Sequence, residues 1–132
     1  MKGEAAVGKL RTAFAGVLLM AVLAAAAAAA DVRPAAEQAK IDDLLIGIQK
    51  SDAVFIRNGK EYDGEQAAAH LKTKLWWAGS RVQTARDFIK GVATHSEESG
   101  KPYEIRFADG HSRPLADWLL DRLAEREKSP PK

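Results

Sequence analysis

Residues 53–62 read Ala53-Val54-Phe55-Ile56-Arg57-Asn58-Gly59-Lys60-Glu61-Tyr62, and this stretch decides the fold. Asn-Gly accepts the positive φ angles of a tight type I′ turn, and β-branched and aromatic residues flank it. The segment therefore predicts a β-hairpin with a two-residue loop. Such a loop sets Phe55 opposite Tyr62 as a register-fixing aromatic pair and projects Val54 and Ile56 to the other face. It also sets Arg57 opposite Lys60, two like charges.

Working outward from the hairpin, Asp63 followed by Gln66 has the spacing of a helix N-cap with its reciprocal partner, and predicts a helix through about Ala78, broken by Gly79. Upstream, Ile41, Leu44, Leu45 and Ile48 recur with helical spacing and predict a helix over residues 34–50. Downstream, Thr84 caps a third helix with the stripe Ala85, Phe88, Ile89, Val92 and Ala93, which ends before the polar run at 96–101. Pro102 starts an extended segment over 103–108, and Asp109-Gly110 repeats the turn chemistry of the first hairpin. Pro114 then opens a last helix with Leu115, Trp118, Leu119 and Leu123 on one side, before a proline-containing tail at 129–132.

Asp63 lies four residues after Gly59, and Pro114 lies four after Gly110. Strand, turn, strand and helix thus occur twice, with a helix inserted before the second copy. The fold class expected is α+β: one small domain at 31–132 whose two β-hairpins form an antiparallel sheet packed with about four helices. The competing account is that the repetition arises by chance.

The N-terminus carries an address. Lys2, Lys9 and Arg11 form a positive n-region, residues 14–23 an apolar h-region, and Ala28-Ala29-Ala30 a small-residue cleavage pattern before Asp31. Residues 1–30 read as a cleaved signal peptide and the protein as periplasmic. The alternatives are secretion or an uncleaved N-terminal anchor, against which the seven alanines from Ala24 weigh because they contribute little transfer energy. A lipidated cysteine is excluded because the chain has none. Of 20 Lys/Arg and 18 Asp/Glu, the first thirty residues hold three and one, leaving 17 of each sign beyond them. A neutral, interspersed balance argues against a nucleic-acid partner and against adhesion to anionic lipid, and no stable membrane insertion is expected after cleavage.

The strings 55–62, Ala78-Gly79-Ser80-Arg81, 84–89 and 99–110 together resemble the YfeK-like family of small exported bacterial proteins, a domain of unknown function. The resemblance covers nearly all of residues 31–132 in order and spacing. It implies an exported single domain and brings no catalytic or binding residues with it.

Chemistry-bearing motifs are sparse. His70, His95 and His111 stand far apart with no cysteine, so neither a metal nor another cofactor is expected. No serine lies in a G-x-S-x-G context. The carboxylates Glu97, Glu98, Asp109 and Asp117 occupy turn or cap positions, where structural roles are ordinary.

Two surface features point instead to binding. At roughly 100° per residue from Ala67, Leu71, Leu75 and Ala78 stay within about 80°, whereas Trp76 and Trp77 fall at about 180° and 280°. A helix buried on one face exposes both indoles, and exposed Trp is enriched at interaction hot spots. The weightier competing expectation for Trp77 is burial between sheet and third helix, with Trp76 partly covered, because large aromatics in small domains usually pack. The second feature is a basic hairpin face: a two-residue Asp109-Gly110 loop pairs Arg106 with Arg113 and Ala108 with His111, so that Arg106, His111 and Arg113 share a face able to hold an anion. The bland alternative is that Glu104 and other acids neutralise it.

The residues favoured for a ligand or partner are therefore Trp76, Trp77, Arg81, Arg106, His111 and Arg113. The function expected is non-catalytic binding of a protein or small ligand in the cell envelope. The alternative is a small envelope hydrolase using a carboxylate or His95, recognisable by a histidine and carboxylate in hydrogen-bond reach within a closed pocket.

Overall fold

The computed structural model describes residues 32–129; the expected signal segment and the end of the expected tail lie outside them. From Arg33 onward the chain forms one compact unit. Its elements are α1 (Ala35–Lys50), β1 (Val54–Arg57), β2 (Lys60–Tyr62), α2 (Gly64–Ala78), a 3-10 turn (Gly79–Arg81), α3 (Ala85–Gly91), β3 (Glu104–Arg106), β4 (Ser112–Pro114) and α4 (Leu115–Lys128).

The two hairpins form one antiparallel sheet in the order β2-β1-β3-β4. The first hairpin has the expected register, with Phe55 opposite Tyr62 and Arg57 opposite Lys60, and Asn58 and Gly59 take the positive φ angles its turn requires. Phe55 also pairs with Ile105 of β3. Both are buried, because α2 and α4 cover this face while α1 packs against α2, α3 and α4. On the opposite face Glu61 and Glu104 are exposed.

Local signals explain the helices. Ile41, Leu44, Leu45 and Ile48 of α1 are all buried. Asp63 and Gln66 form the reciprocal capping box of α2, and Thr84 forms one with Asp87 at α3. Glu37 of α1 adds a bond from the backbone N–H of Ala85, 3.1 Å away, tying α1 to the start of α3. Gly64 answers a different need: a Cβ there would lie 2.2 Å from the carbonyl oxygen of Ile48. The end of α1 and the start of α2 thus meet backbone to backbone, an approach only glycine permits.

Two expectations are corrected. The extended segment over 103–108 is a strand only at Glu104–Arg106, and the second hairpin has a different register. Arg106 pairs with Ser112 and Ile105 with Arg113. Phe107 N–H donates to the carbonyl of His111, and Gly110 N–H to that of Phe107, so the loop holds three residues. Gly110 takes positive φ while Asp109 does not, and the Asp109 carboxylate accepts from the His111 backbone N–H at 3.0 Å. This is the three-residue hairpin with a glycine bulge rather than the two-residue turn.

The stripe of α3 continues past its end. Val92 and Ala93 are buried although the helix closes at Gly91. The polar run beyond folds back on the first hairpin: Asn58 Nδ2 donates to the buried Ser96 Oγ at 3.1 Å, and Ser99 Oγ donates to Asn58 Oδ1. One asparagine therefore shapes its own turn and anchors a loop distant in sequence.

Candidate functional site

The largely apolar cavity in the described fold lies between the first hairpin, α2 and the start of α4, with a volume of about 170 Å³. Phe55, Leu71, Tyr103 and Leu115 line it and are buried, Tyr62, Gln66 and Ala67 lie at its more accessible side, and Arg57 and His70 bring polar groups to it. These residues come from both strands of the first hairpin, one face of α2, the segment before β3 and the first turn of α4. Nothing in their sequence spacing announces that they meet.

A hydrogen-bonded group adjoins the cavity. Lys74 Nζ donates to Tyr103 Oη and to the backbone carbonyl of His95, each at 3.0 Å, and lies 4.9 Å from the Tyr103 ring centre. An ammonium has only donors, so the Tyr103 oxygen accepts from it, and the same oxygen shares a hydrogen bond with His70 Nε2, 3.3 Å away. Burial holds the His70 pKa below the ordinary imidazole value, and the Arg57 and Lys74 charges press in the same direction.

Arg57 carries an unmet demand. Its terminal nitrogen lies 3.6 Å from the Glu98 carboxylate, but Nε is the one buried side-chain nitrogen or oxygen without a hydrogen-bond partner among the described residues. Leaving such a donor unpaired costs about 1–3 kcal/mol.

The residues singled out from sequence fall in separate places. Trp76 and Trp77 are 73% and 71% exposed, their rings meeting edge to face with centres 4.9 Å apart. The expectation that Trp77 packs in the core is thereby corrected. The buried face of α2 is centred on Gly64, Ala68, Leu71 and Leu75, with Ala67 and Ala78 only half-buried, and both indoles lie away from it. Trp77 borders a surface groove shared with Lys74, Arg81 and Glu97. Arg81 also acts locally, because its guanidinium donates to the carbonyls of Ala78 and Trp77 at 3.1 and 3.2 Å and so closes the end of α2.

The basic hairpin face is not assembled. A one-residue change of register moves Arg113 to the other side of the sheet from Arg106. Each of the three side chains already has an acid beside it: Arg106 has Glu61 at 2.5 Å, Arg113 has Asp121 at 2.9 Å and His111 has Asp109 at 2.5 Å. Glu61 and Asp121, rather than Glu104, do the neutralising.

The hydrolase alternative asked for a histidine and carboxylate together in a closed pocket. His111 and Asp109 are within reach of each other but exposed on a turn, and His70 in the cavity meets a tyrosine rather than an acid. His95 forms an isolated bridge with Pro102, its carbonyl taken by Lys74. Among the described residues no group of three or more His, Asp or Glu is placed to hold a metal, and no helix is long and apolar enough to cross a membrane.

Fold and surface together define a small α+β domain with a capped helix that displays an indole pair, beside an apolar cavity with a cationic edge. The chain belongs to the DUF5329 family, a family of unknown function, which matches residues 35–127. It is similar to the uncharacterized protein YfeK of Salmonella typhimurium (strain LT2), with 43% identity over 68 residues that cover 51% of this chain and 57% of that protein. The matched stretch thus spans little more than half of that relative's length. No solved structure matches the chain.

Proposed function

We propose that this protein is an exported, non-catalytic binding domain of the bacterial cell envelope, and that it holds a partner protein through Trp76 and Trp77. The observation that carries the reading is the exposure of two adjacent indoles, each more than two-thirds open to solvent, on a helix whose buried face is already satisfied by Ala68, Leu71 and Leu75. Paired rigid aromatics offer a large contact area at low entropic cost. The groove beside Trp77 supplies both signs of charge, from Lys74, Arg81, Asp87 and Glu97, a polar rim suited to a protein surface. Export rests on the signal-like pattern of residues 1–30.

The test is affinity capture from an envelope fraction with the full chain, compared with a Trp76→Ser, Trp77→Ser variant whose fold is verified by circular dichroism. A defined partner held by the wild type, absent from the folded variant and able to capture this chain in the reverse experiment supports the reading. A partner held equally by both overturns it.

A further inference from the structure

Asn58 is the one asparagine in the chain, and Gly59 follows it. An asparagine side-chain amide lies open to attack by the backbone nitrogen of the next residue, and glycine, without a Cβ, leaves that nitrogen unshielded. Here Gly59 is exposed, and a Cβ built on it would meet nothing within 4 Å. The covalent requirement for deamidation is therefore met at the tip of the first hairpin.

The fold holds the same amide at both ends. Nδ2 donates to the buried Ser96 Oγ at 3.1 Å and reaches Glu98 Oε2 at 3.4 Å, while Oδ1 accepts from Ser99 Oγ. The orientation follows from the partners. A carboxylate only accepts, so the nitrogen faces Glu98, and Ser99 Oγ already accepts from the Lys101 N–H at 3.2 Å, which leaves its hydrogen for Oδ1. The segment that grips the amide is itself closed, since Ser96 N–H donates to the Lys101 carbonyl at 3.0 Å and Gly100 N–H to that of Ser96 at 2.8 Å. Attack turns the planar Cγ into a tetrahedral centre and expels Nδ2, so it displaces both held ends at once.

We propose that Asn58 is a deamidation site gated by the loop over residues 95–101, and that the reaction releases this loop. The Gly59 nitrogen loses its proton and bonds to Asn58 Cγ, the Cγ–Nδ2 bond breaks, and Nδ2 takes up that proton and departs as ammonia, leaving a cyclic imide. Water then opens either imide carbonyl to give aspartate or isoaspartate, with no change of oxidation state. Either product loses the amide donor to Ser96 and gains a negative charge beside Glu98. The contact that docks the loop on the first hairpin becomes a repulsion between like charges. Because ammonia is lost, the loop stays released.

The test incubates the full chain at mildly alkaline pH, in native buffer and in denaturing guanidinium chloride, and follows by peptide mass spectrometry the conversion of amide to acid at position 58. The native chain is expected to react about tenfold more slowly than the denatured one, as the opening of two ordinary hydrogen bonds requires. A Ser96→Ala, Ser99→Ala variant, its fold checked by circular dichroism, is expected to recover most of that difference in native buffer. In parallel, Asn58→Asp is expected to speed amide hydrogen exchange at Ser96 and Gly100 about tenfold, with exchange in α1 unchanged. Equal rates in the native and denatured wild type overturn the gating without reliance on any variant, and so does a folded serine variant that keeps the slow native rate. No conversion in the denatured chain overturns the site. Unchanged exchange at Ser96 and Gly100 in Asn58→Asp overturns the release of the loop.

Discussion

Trp76 and Trp77 meet edge to face, their ring centres 4.9 Å apart, on the side of α2 turned away from the core. The pair stabilises a local arrangement of two indoles without joining either to the rest of the fold. Replacing both with serine is therefore expected to change unfolding free energy by less than about 1 kcal/mol, the scale of surface substitutions and exposed aromatic pairs. Urea denaturation measures it. A loss of several kcal/mol places the indoles in a structural role.

Gly64 gives the opposite expectation. With an added Cβ only 2.2 Å from the Ile48 carbonyl oxygen, Gly64→Ala forces two backbones apart where no flexible side chain can yield. The variant is expected to lose about 3 kcal/mol of stability, at the upper end for overpacking. Its denaturation midpoint relative to the wild type decides the matter, and a neutral result contradicts the close approach of α1 and α2.

His70 governs a pH window. Its folded pKa lies below the ordinary imidazole value of 6.5, chiefly through burial and secondarily through Arg57 and Lys74. The unfolded chain therefore binds the proton first: the contribution is fully present above about pH 6.5 and is lost as pH falls through the folded value. The lowered carboxylates Glu37, Asp87 and Asp109 act further down, below 4.5 for the glutamate and 3.8 for the aspartates. Melting temperature should consequently decline as pH falls below the ordinary imidazole value of 6.5 in the wild type and decline less in His70→Gln. Parallel profiles in the two proteins remove His70 as the cause.

Residues 1–30 give a prediction of processing. The chain recovered from a periplasmic fraction should have a mass beginning at Asp31. Recovery only from membranes, with Met1 retained, supports the anchored alternative.

The fold was legible where the signal is local. Asn58-Gly59, the capping pairs Asp63–Gln66 and Thr84–Asp87 and the stripe of α1 each fix their own element. The second hairpin misled because Asp109-Gly110 looks like Asn58-Gly59, yet Asp109 commits its carboxylate to the His111 N–H and leaves positive φ to Gly110 alone. That one-residue difference dissolves the basic face expected from Arg106, His111 and Arg113. Helical periodicity located the indoles, while the usual packing of large aromatics argued wrongly for burying Trp77. The cavity was not legible, since Arg57, His70, Tyr103 and Leu115 are joined only by the long-range pairing of β1 with β3 and the docking of α2 and α4.

Docking of a protein on the indole pair can be read in living cells by site-specific photocrosslinking. The probe belongs at the exposed Thr73, one helical turn from both tryptophans, with the exposed Asp117 of α4 as the control position. A discrete adduct from position 73, absent from 117 and lost when Trp76 and Trp77 are replaced by serine, is the result predicted. No adduct at 73 in cells that contain the folded protein, or one indifferent to the tryptophans, contradicts the account.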